Sequence, residues 1–339
     1  MRRLKKKLKK IQVRKHKMKK ILSLVLVLSL LALSAFTLAS CKTTPVEKEY
    51  KLAIAVDDGL GTIGRNKVTN IALALVIDAD GKVAAARFDS IEQSLKVTDG
   101  AITPVNRLTT KVENGDSYGG GTAENPAMPA GSWANQAKAF EDFIVGKTAA
   151  EVAALDTSNV SGENPIVAGC TMSSSTPVFQ SLVAKAFAYE RKVSFKTADT
   201  ITLGFGIEAR FTGSVADGAK VSAAYAAVVV AGGNVVASML DEAECSYEFT
   251  ENEGAYTAAV KLSYGKGYAG SKNDQGDAYD AYSPMEGGRW YAQAQAYANS
   301  TVGKTVADLA NLASEGVAGC TIGVANYKLA LIVAGNNVR

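Results

Sequence analysis

The chain has 339 residues, 47% of them hydrophobic and 21% charged, with four cysteines, one histidine and a formal net charge of +4. The basic residues are unevenly placed: 12 of the 37 Lys and Arg fall in residues 1–20, leaving 25 basic against 33 acidic residues beyond them, a net of −8. That balance excludes a nucleic-acid partner, which needs a basic surplus on one face. The single histidine, His16, lies in the same leader, so Ser-His and Cys-His nucleophile pairs and histidine metal ligands are excluded from the remainder.

The leader reads as a secretion signal. A basic segment is followed by an apolar run from Ile21 to Ala39 and closed by Leu38-Ala39-Ser40-Cys41, the parts of a cleavable signal peptide. The ending resembles the lipobox of bacterial lipoproteins. That resemblance implies a signal peptide over 1–40 and a Cys41 thiol that receives a diacylglycerol and becomes the new N-terminus. Two acyl chains would then hold the protein in membrane lipid on the extracytoplasmic face of the cell. An uncleaved anchor is the alternative reading, and initiation at Met1 or at Met18 leaves either unchanged. Residues 41–50 are then the lipidated N-terminus and a linker.

Beyond the linker, strands come first and helices after, twice. "NIALALVID" (Asn70 to Asp78) and "KVAAARFDSI" (Lys82 to Ile91) flank Ala79-Asp80-Gly81, a hairpin signal. Trp133, Ala137, Phe140 and Ile144 recur at helical spacing and predict an amphipathic helix whose stripe faces a sheet. Gly146 is placed to end that helix, and Thr148 with Glu151 to form a capping box for the next. Thr176 is expected as an N-cap with Pro177 at N1 of a last helix. In the second half "AAYAAVVV" and "NVVASML" flank Ala231-Gly232-Gly233, Thr305 and Asp308 approximate the capping box, and "NYKLALIVA" ends the pattern.

The halves also share letters. Trp133 to Thr148, "WANQAKAFEDFIVGKT", answers Trp290 to Thr305, "WYAQAQAYANSTVGKT"; Met128-x-x-Gly131 answers Met285-x-x-Gly288; "DGAITPVNRL" answers "EGAYTAAVKL". Two copies of this length mean two domains rather than a solenoid. The expected fold is α+β: two tandem homologous domains, 51–192 and 195–339, each an antiparallel sheet with packed helices.

Several motifs resolve to structure. The Gly-Lys-Thr at 146–148 and 303–305 lacks the glycine of a phosphate loop five residues earlier, where Glu141 and Ala298 stand. Gly119-Gly120-Gly121 carries no nucleotide fingerprint and reads as a loop. "NDQGDAYDAY" (Asn273 to Tyr282) lacks the spacing and terminal glutamate of an EF-hand loop, so no metal ligand is assigned. Cys170, Cys245 and Cys320 fit no zinc or redox spacing; they read as buried small hydrophobes, with a Cys170–Cys320 disulfide as the alternative.

One tetrapeptide remains. Ala-Gly-Cys-Thr occurs at 168–171 and again at 318–321, each time before the last helix of its copy, where a helix N-terminus favours phosphate. Together with the hairpin, the Trp-containing helix and the Gly-Lys-Thr turn, it resembles the FMN-binding domains of bacterial lipoproteins, sometimes tandem, related to the flavinylated subunits of sodium-pumping and Rnf-type oxidoreductases. In that family a flavin transferase attaches FMN through a phosphoester to a threonine in a motif like Asp-x-x-Ser/Thr-Gly-Ala-Thr. The resemblance implies attachment at Thr171 and Thr321, with Gly169 and Gly319 as the motif's glycine. Cys170 and Cys320 replace its alanine, Ala168 and Ala318 its Ser/Thr, and Pro165 and Glu315 its aspartate.

The function it implies is extracellular electron transfer by an FMN-bearing surface lipoprotein. Trp133, Trp290 and Tyr118 would be ring neighbours, although core packing is the plainer reading of both tryptophans. A quinone-linked reductase or an extracellular acceptor would be its partner. Such a protein is an electron carrier more than a substrate-turnover enzyme, and no catalytic residue is assigned. The rival reading is a non-redox ligand-binding or structural surface lipoprotein that kept the fold without flavin.

Overall fold

The computed structural model describes residues 46–57, 67–94, 96–98, 101–103, 107–119, 128, 130–252, 255–262, 270–282 and 285–339. The expected signal peptide, Cys41, Gly120 and Gly121 lie outside the described residues. The fold is α+β, with antiparallel sheets and packed helices.

In the first sheet β1 (Lys48–Val56), β2 (Lys67–Asp78), β3 (Val83–Ser94) and β7 (Val193–Thr197) lie in the order β3-β2-β1-β7. The expected hairpin is β2 with β3, and Gly81 takes φ 74° in its turn. Strand β1 begins inside the expected linker, where Lys48–Tyr50 pair with Thr197–Phe195 of β7. In the second sheet β6 (Arg107–Leu108), β8 (Ile201–Ser214), β9 (Gly218–Ala231), β10 (Asn234–Asn252) and β11 (Ala255–Leu262) follow the order β11-β10-β9-β8-β6. Segments from either side of residue 192 therefore cross over: β7 closes the first sheet and β6 extends the second. The short pair β4 (Lys96–Thr98) and β5 (Ala101–Thr103) stands apart.

Four layers result. Strand residues of alternate parity face opposite ways. Leu52, Ile54 and Val76 of the first sheet meet Phe205, Tyr225 and Val229 of the second in a core between the sheets. Ala53, Leu73 and Phe88 face the other way, onto helices α2 (Trp133–Ile144) and α4 (Thr176–Ala188). Across the molecule Ala226, Val228 and Leu240 meet α7 (Trp290–Asn299) and α8 (Ala325–Asn336). Burial on both faces explains why β1, β2 and β9 read as near-continuous apolar runs, since no strand face is left for water. Glu47–Arg339 forms one compact unit.

Local signals act as the sequence suggests. Gly146, at φ 82°, follows α2 in the left-handed region. Thr148 and Glu151 make reciprocal capping bonds for α3 (Ala149–Ala153). Thr305 and Asp308 exchange the same bonds before a 3-10 turn at Ala307–Asn311. One boundary shifts: Ser175 is the N-cap of α4 and Thr176 its first residue, with the Thr176 hydroxyl donating to Met172 O at 2.6 Å. All three thiols are free, so the disulfide alternative falls; Cys170 and Cys245 are buried and Cys320 half-buried.

Candidate functional site

The repeated threonines are both held by a glutamine. Gln136 and Gln293, each one turn along α2 and α7 from the tryptophan, are fully buried. Gln136 Oε1 accepts from the Thr171 backbone N–H (2.8 Å) and hydroxyl (2.9 Å), while its Nε2 donates to Gly131 O (2.9 Å). Gln293 Oε1 accepts likewise from Thr321 N (2.7 Å) and Oγ1 (2.8 Å), with Nε2 donating to Gly288 O (2.8 Å). Buried amides need such partners on both ends, and Gln136 thereby fixes where the Thr171 hydroxyl proton points. Thr321 Oγ1 also lies 2.6 Å from Glu286 O, and one hydroxyl proton serves both acceptors in turn.

The glycines before these threonines are conformational. Gly169 and Gly319 have φ of 88° and 79°, in turns closed by Cys170 N–H to Val167 O (2.9 Å) and Cys320 N–H to Val317 O (3.0 Å). A Cβ on Gly169 would sit 3.2 Å from Ala139, and one on Gly319 3.4 Å from Ala296. The positive φ favours glycine at both positions, and the close approach adds to it at Gly169 only.

A lysine approaches each threonine's neighbourhood from a one-turn helix. In α1 (Lys111–Asn114) Thr110 and Glu113 form a capping box, and in α5 (Lys272–Gln275) Ser271 and Asp274 repeat it. These caps present Lys111 and Lys272, each 7% exposed, as first residues. The Lys111 ammonium lies 4.7 Å from the Tyr118 ring centre and 5.5 Å from that of Trp133. Lys272 lies 5.0 Å from Tyr279 and 5.3 Å from Trp290, within cation–π range. Both tryptophans are 2% exposed and packed in their helix-facing cores.

Each short helix is tied to its sheet by a buried aspartate. Asp89 Oδ1 accepts from Ser90 N–H (2.7 Å) and Val112 N–H (3.1 Å); Asp241 Oδ1 accepts from Glu242 N–H (2.7 Å) and Asn273 N–H (3.0 Å). Burial pushes both carboxyls up to about 7, against the hydrogen bonds that favour their charged form. Sequence reasoning missed this lysine-aspartate frame. The signal was available: Thr110-Lys111-x-x-x-Gly115-Asp116-x-Tyr118 answers Ser271-Lys272-x-x-x-Gly276-Asp277-x-Tyr279, and the second lies in the stretch weighed as a calcium loop. That stretch folds instead as α5 and α6 (Asp277–Tyr282).

The copies then diverge. Trp133 Nε1 donates to Ser175 Oγ (3.2 Å) and its ring meets Phe179 edge-on; Trp290 Nε1 donates to Tyr327 OH (3.2 Å) and meets the Tyr327 ring edge-on. Thr171 and Phe179 are eight residues apart, Thr321 and Tyr327 six. The longer link in the first copy carries exposed Ser173 and Ser174. Here Lys111, Tyr118, Trp133, Thr171, Ser173 and Ser174 line a cleft of about 260 Å³, with Met128, Met172 and Ser175. In the second copy the Tyr327 hydroxyl donates to Glu242 Oε2, which pairs with Lys272 Nζ at 2.9 Å, and Glu244 lies 3.5 Å from the same ammonium. Burial works to lower the Lys272 pKa, but Glu242, Tyr327 and Glu244 outweigh it and hold the lysine charged, above its ordinary value.

No family model, curated protein or solved structure matches the chain.

Proposed function

We propose that the chain is a lipid-anchored electron carrier of the extracytoplasmic surface, with FMN held covalently on Thr171. The observation that carries the proposal is the first-copy cleft, which places the Thr171 hydroxyl beside a buried lysine, a serine run and two aromatic rings. The donors suit a phosphoester: Lys111 supplies positive charge, and Ser173, Ser174 and Ser175 supply hydroxyls next to the first turn of the 13-residue α4. Half-buried Tyr118 would be the ring neighbour of the isoalloxazine, while Trp133, 2% exposed, serves the core. A cleft of about 260 Å³ is smaller than an ordinary cofactor pocket, so it would hold the phosphate end of the group rather than the whole of it.

When bound, the flavin supplies reversible electron transfer; the protein supplies attachment, orientation and shielding. Gln136 holds Thr171 in place and orients its proton, and Gly169 shapes the turn that presents it. A threonine hydroxyl is a weak nucleophile unaided, so attachment would need a flavin transferase and a flavin adenine dinucleotide donor: the Thr171 oxygen would take the FMN phosphoryl group, its proton would pass to a base, and AMP would leave. A quinone-linked reductase or an extracellular acceptor is the partner for electrons. Thr321 has a structural role in this reading, because its hydroxyl bridges Gln293 Oε1 and Glu286 O.

The test is co-expression with the transferase of the native host. The wild type should run as a fluorescent flavin band after denaturing electrophoresis, Thr171→Ala should lose most of that signal, and Thr321→Ala should keep it. Cys170→Ala should keep it as well, since the thiol is buried and burial pushes its pKa up. A signal that survives Thr171→Ala but disappears with Cys170→Ala would mean a sulfur linkage and end the proposal. A colourless wild type from the native host would favour the non-redox lipoprotein.

A further inference from the structure

A second cleft, of about 600 Å³, lies away from both threonines, between α7, the β10 backbone at Met239 and Leu240, and the stretch from Tyr189 into β7. That part of β10 has an open edge, because among the described residues β11 pairs with it only over Cys245–Asn252. The tandem fold gives the place a counterpart. Asp89 and Asp241 make the same bonds, so Phe88 corresponds to Leu240 and Arg87 to Met239. The match of Trp133–Thr148 to Trp290–Thr305 sets Glu141 against Ala298. Leu52 and Leu203 lie opposite Val76 and Val229; on their other side stand Val193, paired with Leu52, and Arg339, which exchanges backbone bonds with Leu203. In the first copy this space is filled from within. Glu141 Oε1 accepts from Phe88 N–H at the edge of β3 (2.8 Å), and its Oε2 lies 3.1 Å from Arg87 Nη1 and 2.7 Å from Arg339 Nη2. Met239, Ala298 and Val193 take those three places in the second copy, and the cleft opens.

The groups that Glu141 serves in the first copy go unserved here. Leu240 is 2% exposed, and strand alternation turns its N–H away from β9 as that of Phe88 turns away from β2. Among the described residues nothing accepts from it, and a buried donor without a partner is costly. Arg191 donates to Asn273 O (2.9 Å), with its guanidinium 4.4 Å from the Tyr291 ring centre and 5.6 Å from that of Tyr189; Lys192 donates to the Tyr189 carbonyl. Neither cation forms an ion pair with a carboxylate among the described residues. Asp274 and Asp277 are engaged instead with Lys185 (2.8 Å) and Arg289 (3.2 Å). We infer that this cleft binds a small organic carboxylate with an apolar body. The first copy shows the chemistry: a strand-edge N–H and a guanidinium share the two oxygens of one carboxylate. In the second copy the ligand supplies those oxygens, to Leu240 N–H and to Arg191. Its body lies against Met239, Ala292, Ala296 and the Tyr291 ring, in a volume suited to a drug-sized molecule. The inference is independent of the flavin proposal, since no residue lines both clefts.

The full chain is titrated with naphthoate, phenylbutyrate and octanoate, following isothermal heat and thermal unfolding, with the amide of each acid as its uncharged control. At least one of the acids should bind at a single site per chain and raise the melting temperature, and its amide should bind about tenfold more weakly or not at all. Arg191→Gln should weaken the acid by about tenfold or more, the usual weight of a charge-assisted hydrogen bond. Ala292→Trp, at an exposed position of α7, fills the cleft and should abolish binding while the chain still unfolds cooperatively. Ala298→Glu restores the carboxylate of the first copy and should abolish binding as well; if that variant does not fold, Ala292→Trp decides. Absence of saturable binding by all of the acids, an amide as tight as its acid, or binding undiminished in Arg191→Gln or in Ala292→Trp would overturn the inference.

Discussion

Asp89 and Asp241 carry a pH dependence whose sign follows from burial. Both carboxyls are pushed up to about 7, from an ordinary value near 3.8, so the folded chain binds protons that the unfolded chain has released between about pH 4 and pH 7. Their contribution is fully present below pH 4, falls as pH rises to 7 and is constant above it, each group contributing at most about 1.4 kcal/mol per pH unit. Urea midpoints should therefore decline from pH 5 to pH 8. Asp89→Asn and Asp241→Asn keep the acceptor for Val112 and Asn273 and should flatten that decline; unchanged slopes in the double variant would refute the assignment. Gln136 gives a second test at this scale. Gln136→Leu strands the Thr171 N–H and hydroxyl together with Gly131 O, and should cost about 1–3 kcal/mol in chemical denaturation. A variant as stable as wild type would mean that water replaces the amide at no cost.

Among the elements, α8 packs closer to its sheet than a side chain allows. A Cβ on Gly204 of β8 would fall 2.0 Å from Ala334 O, and one on Gly206 2.5 Å from Ala330 O, both contacts with helix backbone that has no rotamer to yield. Gly206→Ala should push α8 outward and cost about 3 kcal/mol by the mechanism of overpacking, read as a lowered urea midpoint with little change in slope. A neutral Gly206→Ala would show that the helix slides freely. The elements themselves were largely legible in the sequence. The Ala79-Asp80-Gly81 turn, the Trp133-to-Ile144 stripe and the Thr148–Glu151 box are encoded within a few residues of one another, so local chemistry decides them. Helices α1 and α5 were not legible as a site, because four residues carry no periodicity and their lysines also draw meaning from Trp133 and Trp290, which lie well outside each helix in the sequence. The threonine was visible through its repetition; the glutamine that holds it, 35 residues earlier, looked like one more matching letter.

At the scale of the whole molecule the two sheets depend on each other. Leu52, Ile54 and Val76 are covered by Phe205, Tyr225 and Val229, and each large apolar side chain so buried contributes about 1.5–3 kcal/mol. Apolar runs such as those of β1 and β9 announce burial on both faces without saying what covers each one, and for that reason the shared core was not readable from the repeat. A fragment from Phe195 to Arg339 lacks the first sheet and β6 and leaves that face open, so it should self-associate or lose cooperative unfolding; a monomeric fragment with a sharp urea transition would contradict the shared core. The proposed function depends on the opposite property, the difference between the copies. The first copy keeps a cleft beside Lys111, and the second fills its counterpart with Tyr327 and Glu242. Peptide mass mapping of protein purified from its native host tests this most directly. The account predicts the mass of FMN on the peptide containing Thr171 and none on the peptide containing Thr321. Flavin on Thr321 with Thr171 unmodified, or an unmodified Thr171 in protein exposed to its own transferase, would contradict it.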